Sequence, residues 1–540
     1  MKTNILHPSL SVALLHLDGQ ISPLLLSVNM GWGGKKQFPA ISQFVLIVLI
    51  WLAGLAFSAP AQVNVSTSPT TVSNTYVGYL TYTVTGLTNG ETVLVQKYLD
   101  ANANGVIDGP DLLVKQGHWT DGRVMAFDGV TNLNVSGDMD STPGQITAQV
   151  LFQTAFSYRN VWQSLIGKYL IRVSSPTGRF AALTNSLTVT DANFAQSFTG
   201  KVQNDGTNIP YALVVLMNAT NGDGLAGTVT DSNGNYTLTA PPGYYQLVAG
   251  KSNFVCNMTT LPSAILNAGA TIRTNLTLIA ATQSISGMVV DSITATGLGG
   301  QFLSASDKTI GQVAFASTDA NGNFTARVNA SSQWQIKADV MGLATIDYLR
   351  LQSSYSPVVN TTTGSVSGVT MALPMGAAII YGTVKDDQNH PIPGLRLWFD
   401  GSSNPYETAV VTDPNGNYYA SAITGGWNAW FDTDVPLLAN YLWPANYVAV
   451  TATNFQATEL NFVLPILGEP VISQPMNLSG GRFGFNLAGS IGTNYVVQAS
   501  TNLATTNWFT VLTTNLTASP AFIQDNRATN RERFYRVVKQ

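Results

Sequence analysis

Three stretches decide the fold: Thr230-Asp231-Ser232-Asn233-Gly234-Asn235-Tyr236, Thr318-Asp319-Ala320-Asn321-Gly322-Asn323-Phe324 and Thr412-Asp413-Pro414-Asn415-Gly416-Asn417-Tyr418. Each follows a Gly-x-Val opening, at Gly200, Gly287 and Gly382. The interval from that glycine to the aspartate is 31, 32 and 31 residues. A motif returning at a fixed interval marks repeated structural units. Its chemistry is that of a turn. Aspartate caps a local Asx turn, and Asn-Gly tolerates the positive φ of a tight β-turn. The aromatic that follows opens a strand, and alternation continues at Tyr236, Leu238 and Ala240. No segment carries a sustained helical period.

In the first unit a further turn and strand follow, Pro242-Gly243-Tyr244-Tyr245. The second has Ser332-Gln333-Trp334 there and the third Gly425-Gly426-Trp427. This skeleton resembles the carboxypeptidase regulatory-like domain family over about 196–467. The resemblance implies small β-sandwiches of prealbumin-like topology, and it brings no peptidase residues. Related sandwiches bind carbohydrate, which is an analogy of fold alone.

Working outward, five modules are expected, strung end to end. They are an immunoglobulin-like module with a candidate calcium loop at 62–195, repeats at 196–281, 282–376 and 377–467, and a C-terminal β module at 468–540. Short Thr/Val-rich strands at 77–84, 92–99, 146–152, 169–173 and 187–190 support the first. The last is similar to a C-terminal β module of exported bacterial proteins, which implies secretion or surface association. The fold class is all-β, a tandem array of small β-sandwich modules.

Composition agrees. Only 10% of the 540 residues are charged and the net charge is −4, which excludes a basic nucleic-acid binder. Of the 29 acids only five are glutamate. Aspartate favours turns and glutamate favours helices. The single cysteine, Cys256, excludes an internal disulfide framework and reads as a small buried hydrophobe.

Residues 30–61 read as a secretory signal. Lys35 and Lys36 precede an apolar run from Phe44 to Phe57, and Ala59-Pro60-Ala61 offers a small-x-small cleavage site. The run is too short for a membrane span of about 20 residues. Met30 begins this unit, with 1–29 upstream. The expected localisation is secreted or cell-surface, with no span after cleavage.

The sharpest local motif runs from Asp100 to Asp111. Asp100, Asn102, Asn104, Asp108 and Asp111 place oxygen ligands at positions one, three, five, nine and twelve of an EF-hand-type calcium loop. Gly105 sits at six, and Val106 offers its carbonyl at seven. Position twelve is Asp where Glu is usual, and the flanks read as strands. Calcium here would rigidify a loop. The bland alternative is an Asn/Asp-rich hairpin that binds nothing. Asp128, Asp138 and Asp140 form a second acidic patch that matches no ligand spacing, and the repeat turns at Asp231, Asp319 and Asp413 need no ion.

Aromatics concentrate in the third repeat, at Trp398, Trp427, Trp430 and Trp443. If Trp427 faces inward, alternation turns Ala429 and Phe431 inward and Asn428, Trp430 and Asp432 outward. Tyr419 would point out beside inward Tyr418. Tyr419, Asn428, Trp430 and Asp432 are therefore the candidate carbohydrate site. The alternative is that these rings cover a sandwich end or a joint. The basic residues Arg527, Arg531, Arg533, Arg536 and Lys539 suit a protected terminal edge strand.

Neither His118 nor His390 stands beside a nucleophile-elbow motif, so no catalytic residue is assigned. The expected function is a non-enzymatic, exported protein with a structural or adhesive role at a bacterial surface. The alternatives are a polysaccharide binder using the third repeat and an accessory subunit of an exported enzyme or transport complex. Partners would be a polysaccharide or a cell-surface protein.

Overall fold

The structure, a computed structural model, describes residues 62–540 apart from 134–135, 153–163, 221, 223, 339–347, 433–435, 445, 467–469, 491, 504–506, 518–519, 529–531 and 540. The secretory segment expected at 30–61 lies outside the described residues. Strands dominate, joined by turns and three short 3-10 turns, with no α-helix among the described residues. Among these residues no helix is long and apolar enough to cross a membrane.

The first module is a two-sheet sandwich. One sheet holds Asn64–Ser68, Tyr79–Thr85 and Ile146–Leu151. The other orders Thr71–Ser73, Leu183–Thr190, Gly167–Ser174, Thr92–Asp100 and Leu112–Thr120. The opening segment serves both sheets, antiparallel to Tyr79–Thr85 and then parallel to Leu183–Thr190. Alternation makes the core: Leu80, Tyr82 and Val84 point inward from a strand whose other residues are half-buried.

The three repeats share one topology. In each, the opening strand (Ser197–Asn204, Gln283–Asp291, Ala378–Asp386) pairs antiparallel with the strand after the Asn-Gly turn. It also pairs in parallel with the closing strands of the repeat. A second sheet packs across the core.

The repeated motif has a physical cause in this pairing. Gly200 stands opposite Tyr236, Gly287 opposite Phe324 and Gly382 opposite Tyr418. A Cβ on these glycines would lie 1.7, 1.7 and 1.9 Å from the carbonyl oxygens of Thr274, Val369 and Leu460 on the closing segments. The Tyr236 hydroxyl donates to that Thr274 carbonyl at 2.7 Å, and Tyr418 donates likewise to Leu460. The aspartate closes the turn: Asp231 Oδ1 accepts from the Asn233 and Asn235 amides, both at 2.8 Å, and Asp319 and Asp413 repeat the pattern. The threonine before it is buried. Thr230, Thr318 and Thr412 each donate to a backbone carbonyl of an incoming segment.

Successive modules close each other's sheet edges. Phe254–Asn257 leaves the first repeat and pairs with Gln312–Ser317 of the second through Cys256 opposite Val313. Arg350–Leu351 leaves the second repeat and pairs with Tyr406–Val411 of the third. Ile166 of the first module bridges Thr228 on the corresponding edge of the first repeat. Unpaired strand edges invite aggregation, and covering them removes that hazard. One continuous apolar core runs from the first module through the first repeat to Phe302, Val313 and Phe315 of the second.

The modules are not strung end to end. The first module also touches the second and third repeats. Gln116 Nε2 donates to the Ala320 carbonyl at 3.0 Å, and Asn132 Nδ2 donates to Ser421 Oγ at 3.3 Å. The sequence left open whether the modules form a rod or fold back; a turn carbonyl of the second repeat and a strand hydroxyl of the third present the polar groups that the first module bonds. The C-terminal module is a separate small sandwich of two three-stranded sheets around Phe485, Tyr495 and Val497.

Candidate functional site

The outer face of the third repeat is built on the strand Gly425–Phe431. Trp427, Ala429 and Phe431 are buried, while Trp430 is 36% exposed, as alternation requires. Across the sheet Trp398 pairs with Trp430. The two rings stack with centroids 5.6 Å apart and planes 8° from parallel. Arg350, supplied by the second repeat, lies over Trp398 at 4.8 Å and forms an ion pair with Glu407. The face is thus a ladder of guanidinium, indole and indole.

Both indole N–H groups are committed. Trp430 Nε1 donates to Asp400 Oδ2 at 2.8 Å, and Trp398 Nε1 donates to Asp432 Oδ2 at 3.0 Å. Burial pushes the Asp400 carboxyl above the ordinary carboxylate range, against the Trp430 hydrogen bond and the Arg350 charge. Asp400 Oδ1 is buried without a hydrogen-bond partner. What the face offers a ligand is the open side of Trp430. Exposed Tyr447 precedes the adjoining strand Val448–Ala452.

Two of the four expected carbohydrate residues fall elsewhere in role. Asp432 is buried, held by Arg396 at 3.0 Å, and does not present itself to solvent. Tyr419 belongs to Asn417–Ala422 in the other sheet of the sandwich, so it is not brought to Trp430. Asn428 is half-buried beside Asp400. Trp398 is among the aromatics of the third repeat that the sequence singles out but stands outside the four-residue candidate site, although the alternation of Leu397, Trp398 and Phe399 turns it outward with Trp430; Asp400 is not singled out. Arg350 had no signal, since it arrives from another repeat.

The loop 100–111 is closed by its own polar groups. Asp100 Oδ1 accepts from the Asn104 amide at 3.0 Å and Oδ2 from Gly105 at 2.8 Å. Asn102 and Asn104 turn their amide nitrogens onto Asp108, at 3.1 and 2.7 Å. Asp111 accepts from the amides of Ala101 and Asp108, both at 3.0 Å. Lys168 Nζ stands 3.8 Å from Asp100. Burial raises the Asp111 carboxyl, and the Asp100 and Asp108 charges add to that. Asn102, Asn104 and Asp108 thus converge, and turning the two amides over would present three oxygens. No group of three His, Cys, Asp or Glu side chains among the described residues is arranged to hold a metal ion. The Val106 side chain is exposed.

The other acids serve the backbone. Asp138 accepts from Gly122 and Thr147, Asp140 from Thr142, and Asp128 from Ala457 of the third repeat. His390 Nδ1 lies 3.0 Å from Asp386, itself a turn cap. Cys256 is buried, which pushes its thiol up to about 11. In the C-terminal edge strand Phe534–Lys539, Arg536 lies 4.3 Å over Trp508, and Arg533 of the preceding turn pairs with Asp525 at 3.2 Å. Arg531 lies outside the described residues.

The family match falls on the first repeat. Residues 197–279 match the carboxypeptidase regulatory-like domain family. The second and third repeats share its strand order. No curated protein sequence matches the chain. Among solved structures, the Bacillus anthracis TIE protein is 11% identical, covers 78% of each chain and gives a TM-score of 0.16. The major pilin subunit of Bacillus cereus is 10% identical over 50% of this chain and 99% of its own, with a TM-score of 0.15. The minor pilin GBS52 of Streptococcus agalactiae is 11% identical over 36% and 100%, with a TM-score of 0.19. Likeness at that level carries no argument about role.

Proposed function

We propose that the chain is a non-enzymatic, exported scaffold with a structural or adhesive role at a bacterial cell surface. The observation that supports this reading is edge closure between modules. Load applied along the chain would cross backbone hydrogen bonds at 254–257 and 350–351 as well as the covalent links. Tethers that need only reach gain nothing from such pairing. The test is calorimetric. Edge closure and the shared core predict that residues 62–467 melt together. Separate transitions for each module would overturn the reading.

A second reading rests on Trp430. An aromatic face open to solvent beside hydrogen-bonding groups suits the face of a sugar ring. Affinity gels containing a panel of polysaccharides test it. Retardation by one polymer, lost in Trp430→Ala while the protein stays folded, would establish it. Uniform migration across the panel would remove it. Calcium in the loop 100–111 belongs to the scaffold reading as a stiffener of the first module.

A further inference from the structure

The first module and the second repeat enclose a cleft of about 400 Å³. That lies within the size range of small-molecule sites, about 300–1,000 Å³, which favour domain interfaces. One wall is the edge strand Leu112–Thr120, contributing Gln116, His118, Trp119 and Thr120. The turn that follows it contributes Arg123. The facing wall is Thr296–Leu298, Gly299 and Gln301, with Tyr348 and Met375 behind it. The walls are fixed to each other, because Gln116 Nε2 donates to Ala320 across the joint at 3.0 Å. Gln116 is fixed in turn by Gln96 at 2.7 Å. Trp119 is braced by Tyr82, with ring centroids 5.5 Å apart.

The charge on this cleft is one-sided. Among the described residues, no carboxylate and no lysine lines it. The nearby acids are turned into the backbone: Asp121 accepts from Gly90 and Gly144, and Asp138 from Gly122 and Thr147. Arg123 is exposed, and its guanidinium takes part in no hydrogen bond or ion pair among the described residues; the same holds for the His118 ring. A chain with only 25 basic residues among 540 leaves an exposed cation at the rim of its cleft with no partner among the described residues. Beside it stand an indole, hydroxyls on Thr92 and Thr120, and the Gln301 amide.

We propose that this cleft binds an acidic saccharide of one or two rings, its carboxylate on Arg123 and a ring face on Trp119. Arg123, the single Lys or Arg among the described lining residues, matches a monoanion. A phosphate group carries about −1.5 to −2 and asks for more positive charge than the cleft supplies. The Thr92 and Thr120 hydroxyls already bond each other at 2.8 Å, and a purely apolar ligand would leave the guanidinium unanswered. The site stands apart from the Trp430 face, and neither depends on the other.

Titration calorimetry of the purified protein with galacturonate, one ring bearing one carboxylate, tests the assignment. Galacturonate binds, its methyl ester binds at least about tenfold more weakly, and Arg123→Ala weakens galacturonate binding by about tenfold or more, as loss of a charge-assisted hydrogen bond requires. Trp430→Ala leaves the affinity unchanged. Arg123 is exposed, so its replacement leaves the fold intact, and an unaltered melting temperature checks this. Absence of binding at millimolar galacturonate overturns the proposal. Equal affinity for acid and ester, or indifference to Arg123→Ala, does so as well. Loss of binding in Trp430→Ala would place the sugar on the third repeat instead.

Discussion

Tyr79 and Asp413 are 334 residues apart, and the Tyr79 hydroxyl donates to Asp413 Oδ2 at 3.0 Å. Asp413 is the turn aspartate of the third repeat, already accepting from the Asn415 and Asn417 amides at 2.8 Å. One carboxylate therefore shapes a local turn and holds a distant module. Tyr79→Phe removes only the distant bond and costs about 1 kcal/mol. Thermal unfolding measures it, and the turn itself should survive. Burial, then the Asp413 charge, raises the Tyr79 hydroxyl above its ordinary value. Its folded value exceeds its unfolded one, so its contribution is intact below about pH 10 and declines as pH rises further. A wild-type denaturant midpoint that falls more steeply above pH 10 than that of Tyr79→Phe is the expected result.

The repeat glycine is required by a contact, not by a turn. At Gly287 an added Cβ would lie 1.7 Å from the Val369 oxygen, 2.6 Å from its carbon and 2.9 Å from its nitrogen. All three are backbone atoms of the parallel strand Val366–Leu373, which cannot rotate away. Gly287→Ala must displace that strand and costs about 3 kcal/mol. Gly117→Ala is the control, because nothing lies within 4 Å of its Cβ position. It should change stability by less than about 0.5 kcal/mol. Equal effects at the two sites would refute the contact explanation.

The two glycines also mark where the sequence is legible. A turn is a local object, so Asp-x-Asn-Gly-Asn and the aromatic after it can be read directly. The spacing to Gly200, Gly287 and Gly382 is visible too, but its cause is a carbonyl on a closing segment 74, 82 and 78 residues further on. Alternation says which side of a strand Trp430 occupies. It does not say which sheet holds the strand, and so Tyr419 was grouped with Trp430 although the two lie in different sheets. The closing of the third repeat's edge by Arg350–Leu351 had no pattern to read, since a two-residue strand carries no period. The cleft at Arg123 was illegible for a similar reason, because its walls come from different modules.

Lys97 sets a second pH dependence. It is only 8% exposed, with its ammonium 4.3 Å over the Tyr169 ring. Burial, with the nearby Lys115 charge, lowers it to about 7. The unfolded chain keeps that proton until about pH 10. Between about pH 7 and pH 10 the unfolded state binds more protons, so stability rises with pH across this window. Lys97→Met keeps the packing stem and removes the charge. It should raise stability at pH 6–7 by about 1 kcal/mol or more. It should also flatten the rise toward pH 9. Denaturant midpoints measured from pH 6 to 9 decide it, and an unchanged slope would mean that the cation–π contact offsets the burial.

Calcium at the loop 100–111 turns on Asp108. Its carboxylate gathers the Asn102 and Asn104 amides, and its charge adds to the raised Asp111 carboxyl. A divalent cation would relieve that crowding and reverse both amides, so that their oxygens face the ion. Binding to the folded chain alone stabilises by about 2.7 kcal/mol at a hundredfold excess over the dissociation constant. The melting temperature should therefore rise with millimolar calcium and fall back with chelator. Asp108→Ala should abolish the increment, while Asp140→Ala, in the other acidic patch, should keep it. A melting temperature indifferent to calcium would show that the amide hydrogen bonds suffice, and that the loop is a hairpin with aspartates serving its backbone.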